Sequence, residues 1–160
     1  MRGLASQPEP AGDPTDRVVL VLPPRPELLA VARLAAAAVA SQAGLSLEEI
    51  EDLRLAVDEL CSRFLPPAIA APGDQPGGAP TAPPLRVELR FAPGWLEARC
   101  RLEGPPGSVG GPGSRRERVW GGEARALSDR ILDALVDEHG ADEGGGGAWL
   151  RLTHRSGPPS

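Results

Sequence analysis

The residues best placed to do chemistry lie in LRLAVDELCSRFL, Leu53 to Leu65. At about 100° per residue, Asp52, Glu59 and Arg63 form a stripe along the edge of an apolar helix face. A carboxylate such as Glu59 acts as a general base when a proton-bearing nucleophile is held beside it. A plainer reading stays open. Glu59 and Arg63 are four residues apart with the glutamate on the N-terminal side, the arrangement of a surface ion pair contributing about 0.3–0.5 kcal/mol. Direct contact with a partner protein is a further alternative. Asp52 and Asp58 read as solvated charges, since Asp58 sits about 100° around the helix from Glu59.

Other reactive residue types carry less. Ser62 has no histidine base nearby in sequence, so nucleophilic catalysis finds no support. His139 and His154 have no second histidine or cysteine at metal-ligand spacing, and no metal site is expected. Cys61 and Cys100 both sit inside apolar patterns and read as buried reduced thiols. The glycine-rich stretch 104–122 offers backbone N–H groups, but a phosphate-binding P-loop needs a lysine and the chain has none. Its arginines, Arg115, Arg116 and Arg118, read as a solubilising run with Trp120 beside them.

The elements that must position these side chains are legible from periodicity. RVVLVL, Arg17 to Leu22, is a β-branched strand that ends at Pro23-Pro24. Residues 26–43 are Ala/Leu-rich, begin with Pro26 and Glu27 and stop at Gly44, as a helix does. Ser46 and Glu49 form a capping box for the next helix. Its apolar positions Ile50, Leu53, Val57, Leu60 and Phe64 recur at three and four residues, and Pro66-Pro67 ends it.

LRVELRF, a Pro93-Gly94 turn and WLEARCRLE alternate as a hairpin. Its buried face carries Leu85, Val87, Leu89, Phe91, Leu96, Ala98, Cys100 and Leu102. Residues 123–139 give Leu127, Ile131, Ala134 and Leu135 at helical spacing before Gly140, and GAWLRLTHR, Gly147 to Arg155, is a closing strand. The order β, α, α, β, β, α, β implies an α+β sandwich, a mixed or antiparallel sheet with helices on one face.

Composition narrows the function classes. The 160 residues suit one domain, expected over 17–155, with a disordered arm at 1–16, long loops at 66–84 and 104–122 and a tail at 156–160. All 17 basic residues are arginine, and lysine, asparagine and tyrosine are absent, so chemistry needing those side chains is excluded. A net charge of -5 argues against binding a phosphate backbone. No secretory leader or charge-free apolar run of about 18 residues is visible, so a cytoplasmic protein with no membrane contact is expected.

The helix text IEDLRLAVDELCSRFL after an Ala-rich helix, followed by a hairpin, a glycine-rich loop, LSDRILDALVDE and a last strand, resembles the bacterial anti-sigma regulatory factors. These are serine/threonine kinases of the histidine kinase-like ATPase (GHKL, Bergerat-type) fold. The family signature Asp-Glu-x-Cys-x-Asn is matched by Asp58, Glu59 and Cys61, with Arg63 in the asparagine slot. The resemblance implies that Glu59 is the general base toward a protein hydroxyl. It also implies that Arg63 stands where asparagine would hold Mg²⁺; a guanidinium has donors only and a fixed positive charge, and so cannot ligate a cation.

The family's Asp-x-Gly-x-Gly nucleotide turn is represented by Glu103-Gly104-Pro105-Pro106-Gly107. A longer carboxylate replaces aspartate, and Pro105 removes a donor and fixes φ near -65°. Glu103 and Gly107, with Gly121 and Gly122 for the second glycine cluster, would then be vestigial cofactor-binding positions. A residual nucleotide-pocket role for Glu59 and Arg63 enters as an alternative here.

The text looks like the stress-response subgroup of the UsfX kind from high-GC bacteria. That resemblance implies an anti-sigma factor that sequesters an RNA polymerase sigma subunit, is countered by an anti-anti-sigma antagonist, commonly dimerises and has weak or lost kinase activity. No metal is expected and no cofactor is required, with ATP and Mg²⁺ as the competing possibility. The alternative function is an active Mg-ATP-dependent serine/threonine kinase acting on the antagonist.

Overall fold

A computed structural model of the chain describes residues 16–65, 83–104, 122–143 and 146–155. The expectations for residues 1–15, 66–82, 105–121 and 156–160, including the Arg115–Arg118 run, Trp120, Gly107 and Gly121, lie outside them. The elements are β1 (Asp16–Leu22), a 3₁₀ turn (Pro26–Leu28), α1 (Leu29–Gln42), α2 (Leu47–Ser62), β2 (Leu85–Ala92), β3 (Trp95–Leu102), α3 (Gly122–Leu135), β4 (Glu138–Ala141) and β5 (Gly147–Thr153). The five strands form one sheet in the order β1-β2-β3-β5-β4, antiparallel at every pairing. This is the expected α+β sandwich, resolved to its antiparallel form.

Local chemistry explains the boundaries. α1 closes on Gly44, whose φ of 75° belongs to the left-handed region. Leu45 N donates to Ala40 O and Gly44 N to Ser41 O, the two bonds of a Schellman cap. α2 opens on the anticipated box: Glu49 N donates to Ser46 Oγ at 3.3 Å and Ser46 N to Glu49 Oε2 at 2.7 Å. The hairpin turns at Pro93-Gly94, where proline's fixed φ followed by a glycine at φ 74° suits a type II turn.

One face of the sheet meets the helices. Rows such as Val18–Leu89–Ala98–Leu150 and Leu20–Val87–Cys100–Ala148 run across the strands in register. They pack against Leu53, Ala56, Val57, Leu60 and Cys61 of α2 and Ala32 and Ala36 of α1. Each fully buried leucine in this layer contributes about 1.5–3 kcal/mol of transfer free energy. Ile50 and Phe64 of the anticipated apolar stripe are only half-buried and flank the core.

Two elements differ from the sequence reading. The expected helix over 123–139 ends at Leu135, and Glu138–Ala141 forms β4 against β5. Four residues containing a glycine are too short to show a period of two, and only the partner strand defines them. The inward stripe of α3 is centred on Ser128 and Leu132, both buried, while Leu127 is 60% exposed. The stripe is shifted because α3 presents a polar contact to α2, described next.

Candidate functional site

The C-terminal half of α2 carries the side chains singled out in the sequence, and the structure disperses them. Arg63 is the C-cap of α2, with its side chain 15% exposed. Its Nε donates to Ser128 Oγ at 2.8 Å and its Nη2 to Asp129 Oδ1 at 2.8 Å, both on α3. The i,i+4 ion pair with Glu59 is not made: the guanidinium fork is committed to two neighbouring acceptors on another helix. Glu59 is half-buried on the α2 surface, and no hydrogen bond or ion pair joins it to another described residue.

Asp58, read as solvated, accepts from Arg33 Nη1 of α1 at 2.5 Å, with both side chains 37% exposed. It therefore ties α1 to α2. Ser62 Oγ donates back to Asp58 O at 2.7 Å, a local bond that occupies the hydroxyl. Asp52 is half-exposed and has no partner among the described residues. Cys61 lies inside this helix with its Sγ 3.6 Å from that of Cys100, and both thiols are free and buried. Burial first, then the contact with Cys61, pushes the Cys100 thiol well above its ordinary range, so Cys100 does not resemble an activated nucleophile.

Of the remaining positions implied by the resemblance, Glu103 and Gly122 fall among the described residues. Glu103 follows β3, where it accepts from Arg86 Nη1 at 2.9 Å while its own N donates to Pro84 O. Gly122 is exposed at the first position of α3, with open space around it. Among the described residues no group of three or more His, Cys, Asp or Glu is disposed to hold a metal ion.

Sequence reasoning missed a cluster at the other end of α2. Glu49, 4% exposed, serves the capping box and also accepts from His154 Nδ1 at 2.8 Å and Arg155 N at 2.5 Å, just past β5. Burial alone would raise its carboxyl. The bonds from Arg155, His154 and Ser46 outweigh that and hold it at about 2. Nearby, Gly94 N donates to Ala43 O at 2.6 Å and His154 N to Gly94 O at 2.8 Å. The end of α1, the hairpin turn, the end of β5 and the start of α2 are thus joined in one belt. The only local signal was the S-x-x-E box, which marks one of the three partners.

Residues 22–154 match the family described as histidine kinase-like ATPase domain. A stretch of 44 residues is 48% identical to the serine-protein kinase RsbW of Listeria monocytogenes serotype 4a (strain HCC23), covering 28% of each chain. A stretch of 47 residues is 43% identical to the serine-protein kinase RsbW of Bacillus pumilus (strain SAFR-032), covering 29% of each. The chain thus spans less than a third of the length of these curated relatives in the matched segments. No helix among the described residues is long and apolar enough to cross a membrane.

Proposed function

The chain belongs to the histidine kinase-like ATPase domain family, and from that premise we propose that it is an anti-sigma factor that works by holding proteins, with phosphotransfer weak or lost. It sequesters an RNA polymerase sigma subunit in the cytoplasm and is released by an anti-anti-sigma antagonist. The Leu53 to Leu65 text and the element order support this reading, as does the likeness of a segment to serine-protein kinases named RsbW. Arg63 supports the placement in a UsfX-like, degenerate subgroup.

One observation carries the loss of phosphotransfer: the Arg63 guanidinium, bonded to Ser128 and Asp129. Phosphoryl transfer relies on a divalent cation to neutralise the charge on the phosphates. At this position the chain offers a fixed cation whose five N–H groups only donate. Glu103, which stands where the family's nucleotide turn has aspartate, is engaged by Arg86. Among the described residues, Arg63 and Glu103 therefore offer no fit to a magnesium-bound nucleotide.

The test is a titration of the full chain with the sigma subunits of its own organism, without nucleotide. Saturable binding of at least one is expected. Binding to none would remove the proposal.

A second reading has its own support: Glu59 is left without a partner among the described residues, as a general base awaiting a substrate hydroxyl would be. It describes a Mg-ATP-dependent serine kinase acting on the antagonist. Transfer of labelled γ-phosphate to an antagonist serine, abolished by Glu59→Gln, would establish it in place of the first.

A further inference from the structure

We propose that the sheet face opposite the helices holds a docking site for an extended acidic segment of a partner protein, built by Arg86, Arg90, Arg99 and Arg101. It is separate from the α2 residues and independent of nucleotide. On this face β2 and β3 enclose a concavity of about 250 Å³ lined by Arg86, Glu88, Arg90, Arg99, Arg101 and Asp142. Four cations face two anions there, on a chain whose net charge is -5.

The register and the ion pairs leave part of this positive charge uncompensated. Arg86 stands directly opposite Arg101, whereas Glu88 faces Arg99 and Arg90 faces Glu97. Like charges at directly opposed positions destabilise a sheet. Arg86 is offset by Glu103 at 2.9 Å and Glu88 at 3.8 Å, but its Nε is buried with no acceptor. Arg101 is exposed, Arg90 is half-buried, and neither has a hydrogen bond or ion pair with a described residue.

Glu97, which could have quenched Arg90, is already bonded by Arg99 at 2.7 Å and Arg151 at 2.8 Å. Arg99 is fixed between Glu97 and Asp142. Arg86 and Arg99 are thus held by acidic neighbours while Arg90 and Arg101, at opposite ends of the cluster, are unsatisfied, and guanidinium forks take carboxylates in paired hydrogen bonds.

Spacing selects the occupant. Same-face residues on a strand repeat at about 6.7 Å, so Arg90 lies about 13 Å along the strands from Arg101, which stands opposite Arg86. An extended peptide with carboxylates on alternate residues repeats at the same interval and can meet both, which a single small anion cannot. A nucleic-acid backbone fits poorly with the overall negative charge.

The test uses the full chain and a fluorescein-labelled extended peptide alternating glutamate and serine, read by anisotropy at low salt. Saturable binding is expected, weakened about tenfold by Arg101→Gln or by Arg90→Gln, since each loses a charged hydrogen bond. Arg54→Gln, at an exposed pair with Glu51 on α2, leaves binding unchanged. Arg101→Gln also raises the melting temperature by about 1–3 °C by removing the opposed cation, so weaker binding with a higher Tm separates a lost site from a damaged fold.

The proposal is overturned by no binding at low salt, by equal affinity across the three variants, or by inorganic phosphate displacing the peptide at concentrations comparable to the peptide's own. Tighter binding of a thymidine oligonucleotide through the same arginines would overturn it too. So would arginine-dependent self-association in sedimentation velocity, which would assign the face to a second copy.

Discussion

The two ends of α2 handle charge in opposite ways. At the N-terminal end Glu49 is almost fully buried and accepts from Ser46, His154 and Arg155, so its carboxylate is saturated by groups from the same helix and from the end of β5. At the C-terminal end Asp58 and Arg63 are drawn off to α1 and α3, and Glu59 between them in the helix surface pairs with nothing described. A saturated buried carboxylate fixes the fold. An unsaturated, half-exposed one costs little to leave in water and remains available to another molecule. The first end bears on stability, and on the proposed function the second bears on encounter, so substitutions should separate them.

Glu49 should show the largest effect. Its folded-state value of about 2 lies below the ordinary 4.5, so the associated stability is fully present above about pH 4.5 and is lost as pH falls toward 2. The shift corresponds to about 3 kcal/mol. Urea unfolding of Glu49→Gln should give a loss of about that size at neutral pH and a flatter acid limb than the parent. A substitution costing under about 1 kcal/mol would break the contrast between the two ends.

Next comes Arg63→Ala, which leaves the buried Ser128 hydroxyl and Asp129 without their donor; about 2 kcal/mol is expected in thermal melting. Arg33→Gln removes a pair that is more than a third exposed on both sides, and should cost no more than about 1 kcal/mol. Glu59→Gln is expected within about 0.5 kcal/mol of the parent. That variant is expected to fold normally and to weaken sigma binding in titration.

Much of the scaffold was legible in the sequence because its signals are local. The Ser46–Glu49 box, the Gly44 stop and the alternation of Leu85–Phe91 with Leu96–Leu102 each reflect backbone chemistry within a few residues. What escaped was pairing at long range. Nothing in a 3.6-residue period reveals that His154 and Arg155 reach Glu49, or that the Arg63 fork bypasses Glu59 for Ser128 and Asp129. Alternation also turns Glu97 toward the face without helices, yet Arg99 and Arg151 cover it to 2% exposure. Arg151 in turn lies 5.8 Å and 5.6 Å from the ring centroids of Trp95 and Trp149, so these tryptophans support a charged layer. The family resemblance drew attention to α2, but the partners of its charges lie on other elements, out of reach of a local motif.

The central claim is that a cation committed to α3 occupies the place a magnesium ligand would need. Calorimetric titration of Mg-ATP into the full chain, beside Arg63→Asn, tests it most directly. No saturable heat is expected from the parent chain. A saturable, magnesium-dependent heat from the parent, as strong as that of Arg63→Asn, would contradict the account.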